Sequence, residues 1–342
     1  MRVFVYEYLC AGGFAAFAGL SLPSEGTAML SAVLKDFARC PGVQTSTLLD
    51  PRRAIVDATW GATIQPHWLR PDREEQTFRT LAATADFSLI IAPEFDDLLE
   101  QRCRWVEESG GHSLGPSSEA VRLTADKLTL ACHLQAQGIP TPVVFQPSQQ
   151  TPKALSYPLV CKPRFGAGSQ ATFLMHDEDE VTRAIVKAGS EGWSGELILQ
   201  PYVPGFAVSV ALLSGAAQLI ALPAVQQQLS TDGRFHYRGG RLPLTKDLDQ
   251  RARSLAVRAA NAVKGLHGYF GIDLILGDAA DGSADVVIEI NPRLTTSYVG
   301  LRQLAQFNLA EAMLAIATDS RMPSLTWGTK TTVFRANGRI LS

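Results

Sequence analysis

The sequence predicts mixed α/β and α+β architecture, in which an N-terminal open, mostly parallel α/β sheet precedes two further parts that contain sheets. Three observations predict this fold class. At 342 residues the chain exceeds a typical single domain of roughly 100 to 200 residues. Strand-like and helix-like segments alternate in its first third, which is typical of parallel sheets. Later, two strand patterns flank a polar Asp281-Gly282 turn, which favours an antiparallel hairpin.

The first third supplies the predicted parallel sheet. Strand patterns cover residues 2–6, 43–49 and 87–92, and amphipathic helix patterns cover 23–40 and 73–85. Ligands of such sheets meet the carboxyl ends of the strands. This rule places five sites on the ligand side, namely Glu7, Tyr8, Gly12, Gly13 and Pro93-Glu94. Glu25-Gly26 begins the first helix, where backbone N–H groups are free. Ordinary turn chemistry is the alternative for all of them.

Composition and charge favour a small ligand. Lys and Arg number 31 and Asp and Glu number 33, without a run of five like charges, so we expect neither nucleic acid nor an anionic membrane as a partner. The five cysteines are scattered and contain no Cys-x-x-Cys, which is typical of reduced thiols in a cytoplasmic protein. The apolar stretches at 9–20 and 212–225 predict neither a signal peptide nor a membrane span.

A glycine-rich loop lies between two predicted strands in the middle of the chain. A helix pattern over 119–137 is interrupted near 124–127, and a strand pattern over 157–162 leads into a loop over 163–169. Such a loop can present backbone N–H groups to a phosphate. Gly166-Ala-Gly168 also matches a dinucleotide fingerprint, but that site requires a helix directly after the loop. Residues 170–175 predict a strand, so we favour a glycine-rich hairpin.

The remaining middle and late segments predict packing elements. Acidic residues at 177–180 suit the N-terminal dipole of a helix that ends near 188, so we interpret them as caps. Strand patterns begin at 197 and cover 206–213 and 218–225, and helix patterns with an apolar stripe cover 247–266 and 307–317.

The C-terminal hairpin has a predicted register. Apolar and polar residues alternate over 272–276 and 286–291, with the period of two that half-buried strands show. If Leu276 lies opposite Val286, Asp273 falls opposite Glu289. Asn291 then points to the same face of the hairpin.

Two carboxylates and an amide on one face predict a cation site. Directly opposed like charges, with Cβ atoms roughly 5 Å apart, destabilise a strand pair unless a cation lies between them. Oxygen ligands of this kind suit Mg²⁺, which completes its octahedron with water and phosphate oxygens. Arg293 follows just beyond the strand, where it could meet phosphate. A surface hairpin with an acidic outer face is the alternative.

The order of these parts resembles that of the ATP-grasp carboxylate–amine ligases. The resemblance spans roughly residues 115 to 320. It rests on Asp126-Lys127, Lys162-Pro163 before the glycine-rich loop, Pro201-Tyr-Val-Pro-Gly205, Gly271-Ile-Asp273 and Glu289-Ile-Asn-Pro-Arg293. It implies an ATP-grasp fold behind a pre-ATP-grasp domain, with ATP and Mg²⁺, or alternatively Mn²⁺, as cofactors. It also implies small-molecule carboxylate and amine substrates.

The resemblance also implies roles for individual residues. Lys162 and Arg293 would be catalytic, and Asp273, Glu289 and Asn291 would hold the metal ion. The residues implied to contact ATP are Lys127 and Lys162 at the phosphates, Gly166, Gly168 and Ser169 in a closing loop, and Gln200, Pro201, Tyr202 and Val203 at adenine. Two positions depart from the family pattern. Ala207 replaces an acidic ribose ligand, and Gln200 stands where many members have Glu.

The implied domains are a pre-ATP-grasp domain at 1–115, a small lid subdomain at 116–200 and a large subdomain with the metal site at 201–342. A homodimer through the first domain is implied as well. The sequence also resembles the tyramine–L-glutamate ligases of methanofuran biosynthesis. Residues quoted for that likeness and predicted to face substrate are Arg238, Gly239, Thr295 and Thr296, in addition to those near the N-terminus. A different amino-acid acceptor and a non-catalytic nucleotide-binding regulator are the alternatives.

Overall fold

The computed structural model describes residues 1–13, 22–52, 60–147 and 156–341, so the apolar stretch at 9–20 lies partly outside the described residues. The N-terminal part contains an all-parallel sheet of order β3-β2-β1-β4, which confirms the prediction. Its elements are β1 (Arg2–Glu7), α1 (Leu22–Phe37), β2 (Gln44–Leu49), β3 (Ile64–Trp68), α2 (Glu74–Thr84), β4 (Phe87–Ile91) and α3 (Leu98–Glu108), with 3₁₀ turns at Pro71–Arg73 and Phe95–Asp97.

The sequence patterns did not predict β3 or α3. β3 contains Pro66, whose missing N–H weakens the case for a strand, but β3 lies at the edge of the sheet, where proline is tolerated. In α3 the charged residues Glu100 and Arg102 lie among the buried positions and interrupt the apolar stripe, so its sequence pattern is weak.

A three-stranded antiparallel sheet follows, which we call the small sheet, with the order β6-β5-β7. The glycine-rich loop joins β5 to β6, which confirms the predicted hairpin. The predicted helix break is also confirmed, because Asp126 has extended backbone and caps the second helix. The elements are α4 (Ser118–Ala125), α5 (Lys127–Ala136), β5 (Leu159–Pro163), β6 (Phe173–Met175), α6 (Glu178–Ser190), capped by Asp177, and β7 (Leu197–Pro201).

The largest sheet, here called the central sheet, has the order β13-β12-β8-β10-β11-β14, with β9 also paired to β8. One predicted strand over 218–225 is in fact two, because Pro223 lies in the segment that separates β9 from β10. The elements are β8 (Phe206–Ser214), β9 (Leu219–Ala221), β10 (Val225–Leu229), β11 (Tyr237–Leu242), α7 (Lys246–Asn261), β12 (Gly268–Leu276), β13 (Val286–Asn291), α8 (Ser297–Leu304), α9 (Leu309–Ala317) and β14 (Thr332–Arg335).

A β-bulge changes the predicted register of the C-terminal hairpin. Asp273 pairs with Glu289, as predicted, but Val286 lies opposite Ile275, so its predicted pairing with Leu276 is wrong. The register shifts between Asp273 and Leu274, and Ile288 is the additional residue on β13. A bulge of this kind places two residues of one strand against one of its partner.

The parallel sheet and the central sheet are joined through α1, which packs against α8 and α9. Asp36 of α1 is 1% exposed and lies at the centre of this contact. It accepts hydrogen bonds from the Tyr298 hydroxyl at 2.7 Å and from the Arg302 guanidinium at 2.7 and 2.9 Å. Because charge-assisted bonds are the stronger ones, α1 is firmly attached to α8, which begins six residues after β13 ends.

Within the described part of the chain, each helix is too short or too polar to span a bilayer.

Candidate active site

A cavity of about 280 Å³ lies where the parallel, small and central sheets meet. The ends of β1 and β4 form one wall, the small sheet and its glycine-rich loop form a second, and β12 and β13 form the floor. Most residues predicted as site residues line it. They are Glu7, Lys127, Lys162, Gly166, Gly168, Ser169, Gln200, Tyr202, Val203, Asp273, Glu289, Asn291, Arg293, Thr295 and Thr296.

Asp273 and Glu289 form an opposed carboxylate pair on the cavity floor. The Asn291 amide donates to Asp273 Oδ2 at 3.1 Å. Burial and the nearby charge of Glu289 raise the pKa of Asp273 to about 6. Burial would also raise the pKa of Glu289, but Lys127, Lys162 and Arg293 outweigh it and lower that pKa below its ordinary value. The two carboxylates therefore differ, and Glu289 is the one held anionic.

This pair and the amide fit a small hard cation. Asp273 Oδ1 is a buried carboxylate oxygen that accepts no hydrogen bond from the described residues. Such an atom is costly to bury unless a ligand satisfies it. Within the described ranges no three His, Cys, Asp or Glu side chains cluster, so an ion here would have two carboxylates, an amide and ligands from outside the chain. Mg²⁺ commonly keeps such a mixed shell.

Two lysines stand over the carboxylate pair. Lys127, at the start of α5, places Nζ 3.6 Å from Glu289 Oε2 and donates to the Gly166 carbonyl at 2.8 Å. Lys162, near the end of β5, is 8% exposed. Burial and the charge of Lys127 lower the pKa of Lys162 to about 8, against the opposing effect of Glu289 and Asp273. Both cations could neutralise phosphate oxygens above the floor.

Arg293 is joined to the parallel sheet through Glu94. Its Nε and Nη2 donate to the Glu94 carboxylate at 2.8 and 3.3 Å, and both side chains are largely buried. Burial would lower the pKa of Arg293, but Glu94, Glu25 and Glu289 outweigh it and raise the pKa, so the guanidinium stays charged. The pairing positions one cation at the end of β13, between the carboxylate floor and the wall formed by β4.

The glycine-rich loop is fastened to the loop between β10 and β11. The Ser169 hydroxyl donates to the Phe235 carbonyl at 2.7 Å, and Arg234 donates to the Thr172 carbonyl at 2.8 Å. Arg234 also binds both oxygens of Glu191 at 2.8 and 2.7 Å. Ser169, with φ of 59°, holds a left-handed backbone that is unusual for a residue other than glycine. The loop is thus held over the cavity by contacts outside its own hairpin.

Gln200, near the end of β7, and Tyr202 and Val203, which follow β7, line the cavity, whereas Pro201 does not. The Tyr202 and Phe235 rings lie 6.0 Å apart and nearly parallel. Ala207 pairs with Ile275 and offers no polar atom to a ribose.

Several residues predicted to face substrate lie outside the cavity. Tyr8 alternates with Glu7 at the end of β1, and its ring packs against the Arg102 guanidinium at 4.9 Å. Gly12 and Gly13 form the following turn, where Gly13 packs against the Tyr8 ring. On β11, Arg238 is exposed. Gly239 is buried against β14, where a Cβ atom would lie 1.9 Å from the Phe334 carbonyl oxygen.

Other residues line the cavity but were not predicted as site residues. Tyr237, Ser209 and Gln227 reach it from neighbouring strands of the central sheet, and Met29 reaches it from α1. The strand pattern on β11 is hidden by Gly239 and Gly240, so sequence periodicity alone could not place Tyr237. Glu94 was predicted only to lie on the ligand side of the sheet, and Glu25 only to begin the first helix. In the structure Glu25 lines the cavity and Glu94 holds Arg293.

Comparisons with known proteins agree with this geometry. A model of the ATP-grasp domain matches residues 124–297, and one of the pre ATP-grasp 3 domain matches residues 43–121. The chain belongs to the ATP-grasp family. The ligases among its relatives indicate an ATP-dependent carbon–nitrogen ligase, and ATP-grasp enzymes use ATP with Mg²⁺.

Relatives and solved structures support the family assignment over nearly the whole chain. The tyramine–L-glutamate ligase of Methanocaldococcus jannaschii is 24% identical over 334 residues, which are 97% of this chain and 94% of that protein. That of Methanocaldococcus fervens is 26% identical over 248 residues, 72% of each. The crystal structure of an ATP-grasp superfamily protein from Archaeoglobus fulgidus has a TM-score of 0.71 at 22% identity, covering 98% of this chain and 92% of that one. The ATP-grasp fold predicted from the sequence is confirmed.

Proposed function

We propose that the protein joins a small-molecule carboxylate to an amine through an acyl phosphate, with glutamate and tyramine as the first candidate substrates. The observation that carries the proposal is one cavity that gathers an opposed carboxylate pair, an amide and three cations, namely Asp273, Glu289, Asn291, Lys127, Lys162 and Arg293. Phosphoryl transfer depends mainly on positioning and electrostatic stabilisation, which such a set can supply.

In the proposed first step, a carboxylate oxygen of the donor attacks the γ-phosphorus of ATP. An O–P bond forms, the bond between the β- and γ-phosphates breaks, and ADP leaves. Lys127 and Lys162 neutralise the phosphate charge, and Arg293, held by Glu94, orients the donor carboxylate. Asp273, Glu289 and Asn291 would hold Mg²⁺, or alternatively Mn²⁺, which when bound neutralises phosphate charge.

In the proposed second step, the lone pair of the amine attacks the acyl carbon. The C–N bond forms, the C–O bond to phosphate breaks, and the leaving inorganic phosphate takes up the proton that the nitrogen loses. Arg293 and N–H groups of the glycine-rich loop would stabilise the oxyanion of the tetrahedral intermediate. The fastened loop would keep water from the acyl phosphate, which water would otherwise hydrolyse.

The substrate assignment is supported by the relatives named above, which are ligases of tyramine and L-glutamate. We further propose a role in the biosynthesis of a methanofuran-type cofactor. Other parts of the proposal are the domain limits at 115 and 200, a homodimer through the first domain, and a cytoplasmic location.

The test is to incubate the protein with Mg-ATP, glutamate and a panel of tyramine, tyrosine and furan amines. Equal amounts of ADP, phosphate and an amide of the expected mass would support the proposal. If phosphate release requires the carboxylate but the amide forms with a different amine, the proposed reaction stands and that amine replaces tyramine as the acceptor. If ATP binds and no carboxylate produces ADP, the protein is a nucleotide-binding regulator, which Ala207 in place of a ribose ligand favours.

A further inference from the structure

One end of the cavity carries a carboxylate with no place in the mechanism above. Glu25 lies in the first turn of α1, is 8% exposed and lines the cavity. Its Oε2 accepts a hydrogen bond from the Thr296 hydroxyl at 3.1 Å, across 271 positions of sequence. Thr296 immediately precedes α8, so this contact closes the gap between the parallel sheet and the segment that follows β13.

Glu25 lies close to the groups at the cavity floor. The pKa of Tyr237 is raised well above its ordinary value by burial, by Glu25 and by Asp273. Glu25 is also among the charges that raise the pKa of Arg293. The charge of Glu25 therefore acts on Tyr237 of β11 and on Arg293, which follows β13.

The surroundings of Glu25 suit a cationic group attached to an apolar body. Leu22 and Met29 of α1, three and four positions from Glu25, line the cavity, and so does Leu9 in the turn after β1. A carboxylate repels phosphate groups, for which Lys127 and Lys162 carry the complementary charge. An ammonium group carries the complementary charge and donates three hydrogen bonds, which the oxygens of Glu25, Thr296 and Tyr237 could accept.

We propose that Glu25, with Thr296 and Tyr237, forms a subsite for the ammonium group of a substrate. The inference rests on the proposed function and adds to it the part of the chain that selects a charged amine. Two substrates contain such an ammonium group. One is the acceptor amine before it loses its proton, and the other is an amino-acid donor through its α-ammonium group.

The experiment measures binding, so that it does not depend on turnover. With a non-hydrolysable Mg-ATP analogue present, calorimetry compares tyramine with tyrosol, which has a hydroxyl in place of the ammonium, and glutamate with glutarate, which lacks the α-ammonium. The natural chain should bind the charged member of one pair at least about tenfold more tightly, since hydrogen bonds to charged groups are worth about that ratio. Glu25→Gln should remove that preference, and Thr296→Val should weaken it.

The ligand pair for which Glu25→Gln loses the preference for the charged member identifies the substrate that supplies the ammonium group. Glu108→Gln, which removes an exposed acid on α3, is the matched control and should leave both preferences unchanged. The subsite is wrong if the natural chain shows no preference for either charged ligand, or if both Glu25→Gln and Thr296→Val keep it. A preserved ammonium preference in a protein that forms no ADP with any carboxylate would leave the subsite standing and overturn the proposed function instead. If Glu25→Gln does not fold, Thr296→Val decides.

Discussion

Arg293 Nε lies 2.8 Å from Glu94 Oε1, so the residue two positions after β13 is paired with a residue three positions after β4. Glu94 is 6% exposed and Arg293 is similarly enclosed. A buried pair of this kind contributes little net stability compared with apolar replacements, but removing one partner leaves an uncompensated charge. Substitutions in this pair can therefore show whether Arg293 takes part in the reaction or only stabilises the fold.

Glu94→Gln should lower the free energy of unfolding by about 3 kcal/mol, because the buried Arg293 guanidinium loses its counter-charge. The double variant Glu94→Gln, Arg293→Met should regain much of that loss while ligase activity stays low. Chemical denaturation and ADP formation measure the two effects. Recovery of activity together with stability in the double variant would show that Arg293 has no part in the reaction.

Glu289→Gln should reduce kcat by about 100-fold or more, since several kcal/mol of transition-state stabilisation depend on the charge at this position. Lys162→Ala should have a similar effect through the loss of a phosphate-neutralising cation. Both variants should keep a melting temperature near that of the natural chain. Glu119→Gln, an exposed acid on α4, is the control. Full activity in either site variant would contradict the assignment of the site.

Arg234→Ala should uncouple ATP cleavage from amide formation. It removes the contacts to Thr172 and Glu191 that fasten the glycine-rich loop, and it removes a guanidinium that lies 4.2 Å from the Phe173 ring. A looser loop admits water, which hydrolyses the acyl phosphate, so more ADP than amide should form.

The ratio of ADP to amide is the measurement for this variant, because a purely structural loss would lower both products equally. Arg258→Ala, an exposed arginine on α7, should keep the ratio of the natural chain. An unchanged ratio of ADP to amide in Arg234→Ala would mean that the contacts of Arg234 are not needed to exclude water from the cavity.

Asp126→Asn should reveal a pH-dependent contribution to stability. Burial would raise the pKa of Asp126, but hydrogen bonds from Arg164 and Thr129 outweigh it and lower the pKa. A carboxyl with a lowered folded pKa stabilises the fold above its unfolded pKa of about 3.9, and that stability is lost as the pH falls through the folded value. Asn keeps the helix cap, so the substitution removes mainly the charge.

Denaturation of the natural chain and Asp126→Asn should therefore differ by a constant amount between pH 5 and 8, in the range above the unfolded pKa. The difference should shrink as the pH falls below about 4. A difference that stays constant to lower pH would show that Asp126 acts only as a hydrogen-bonding cap.

Sequence alone could predict the elements whose chemistry is local. Such local signals are the alternation around Asp273, the glycines between β5 and β6, the helix break near 124–127 and the acidic cap at Asp177, and the structure agrees with them. Contacts between distant segments have no such signal. The hydrogen bond between Thr296 and Glu25 depends on how α1 packs against α8, which periodicity does not encode.

The direction of side chains at and beyond the ends of strands was also poorly predicted from the sequence. Tyr8 and Glu7 are adjacent and both polar, yet the alternation of a strand sends Glu7 into the cavity and Tyr8 against Arg102. Gly239 was expected to face substrate from the likeness to the tyramine–L-glutamate ligases, and it lies instead against β14.

The additional residue on β13 has an evolutionary consequence. Val287 and Ile290 both face the apolar side of the central sheet, while Glu289 and Asn291 face the cavity, and strict alternation could not satisfy all four. Losing Ile288 would remove the bulge and restore strict alternation, with Val287 and Ile290 on one face and Glu289 and Asn291 on the other. Across descendants of this gene, loss of the codon for Ile288 should therefore be tolerated without reversing the two faces of the hairpin.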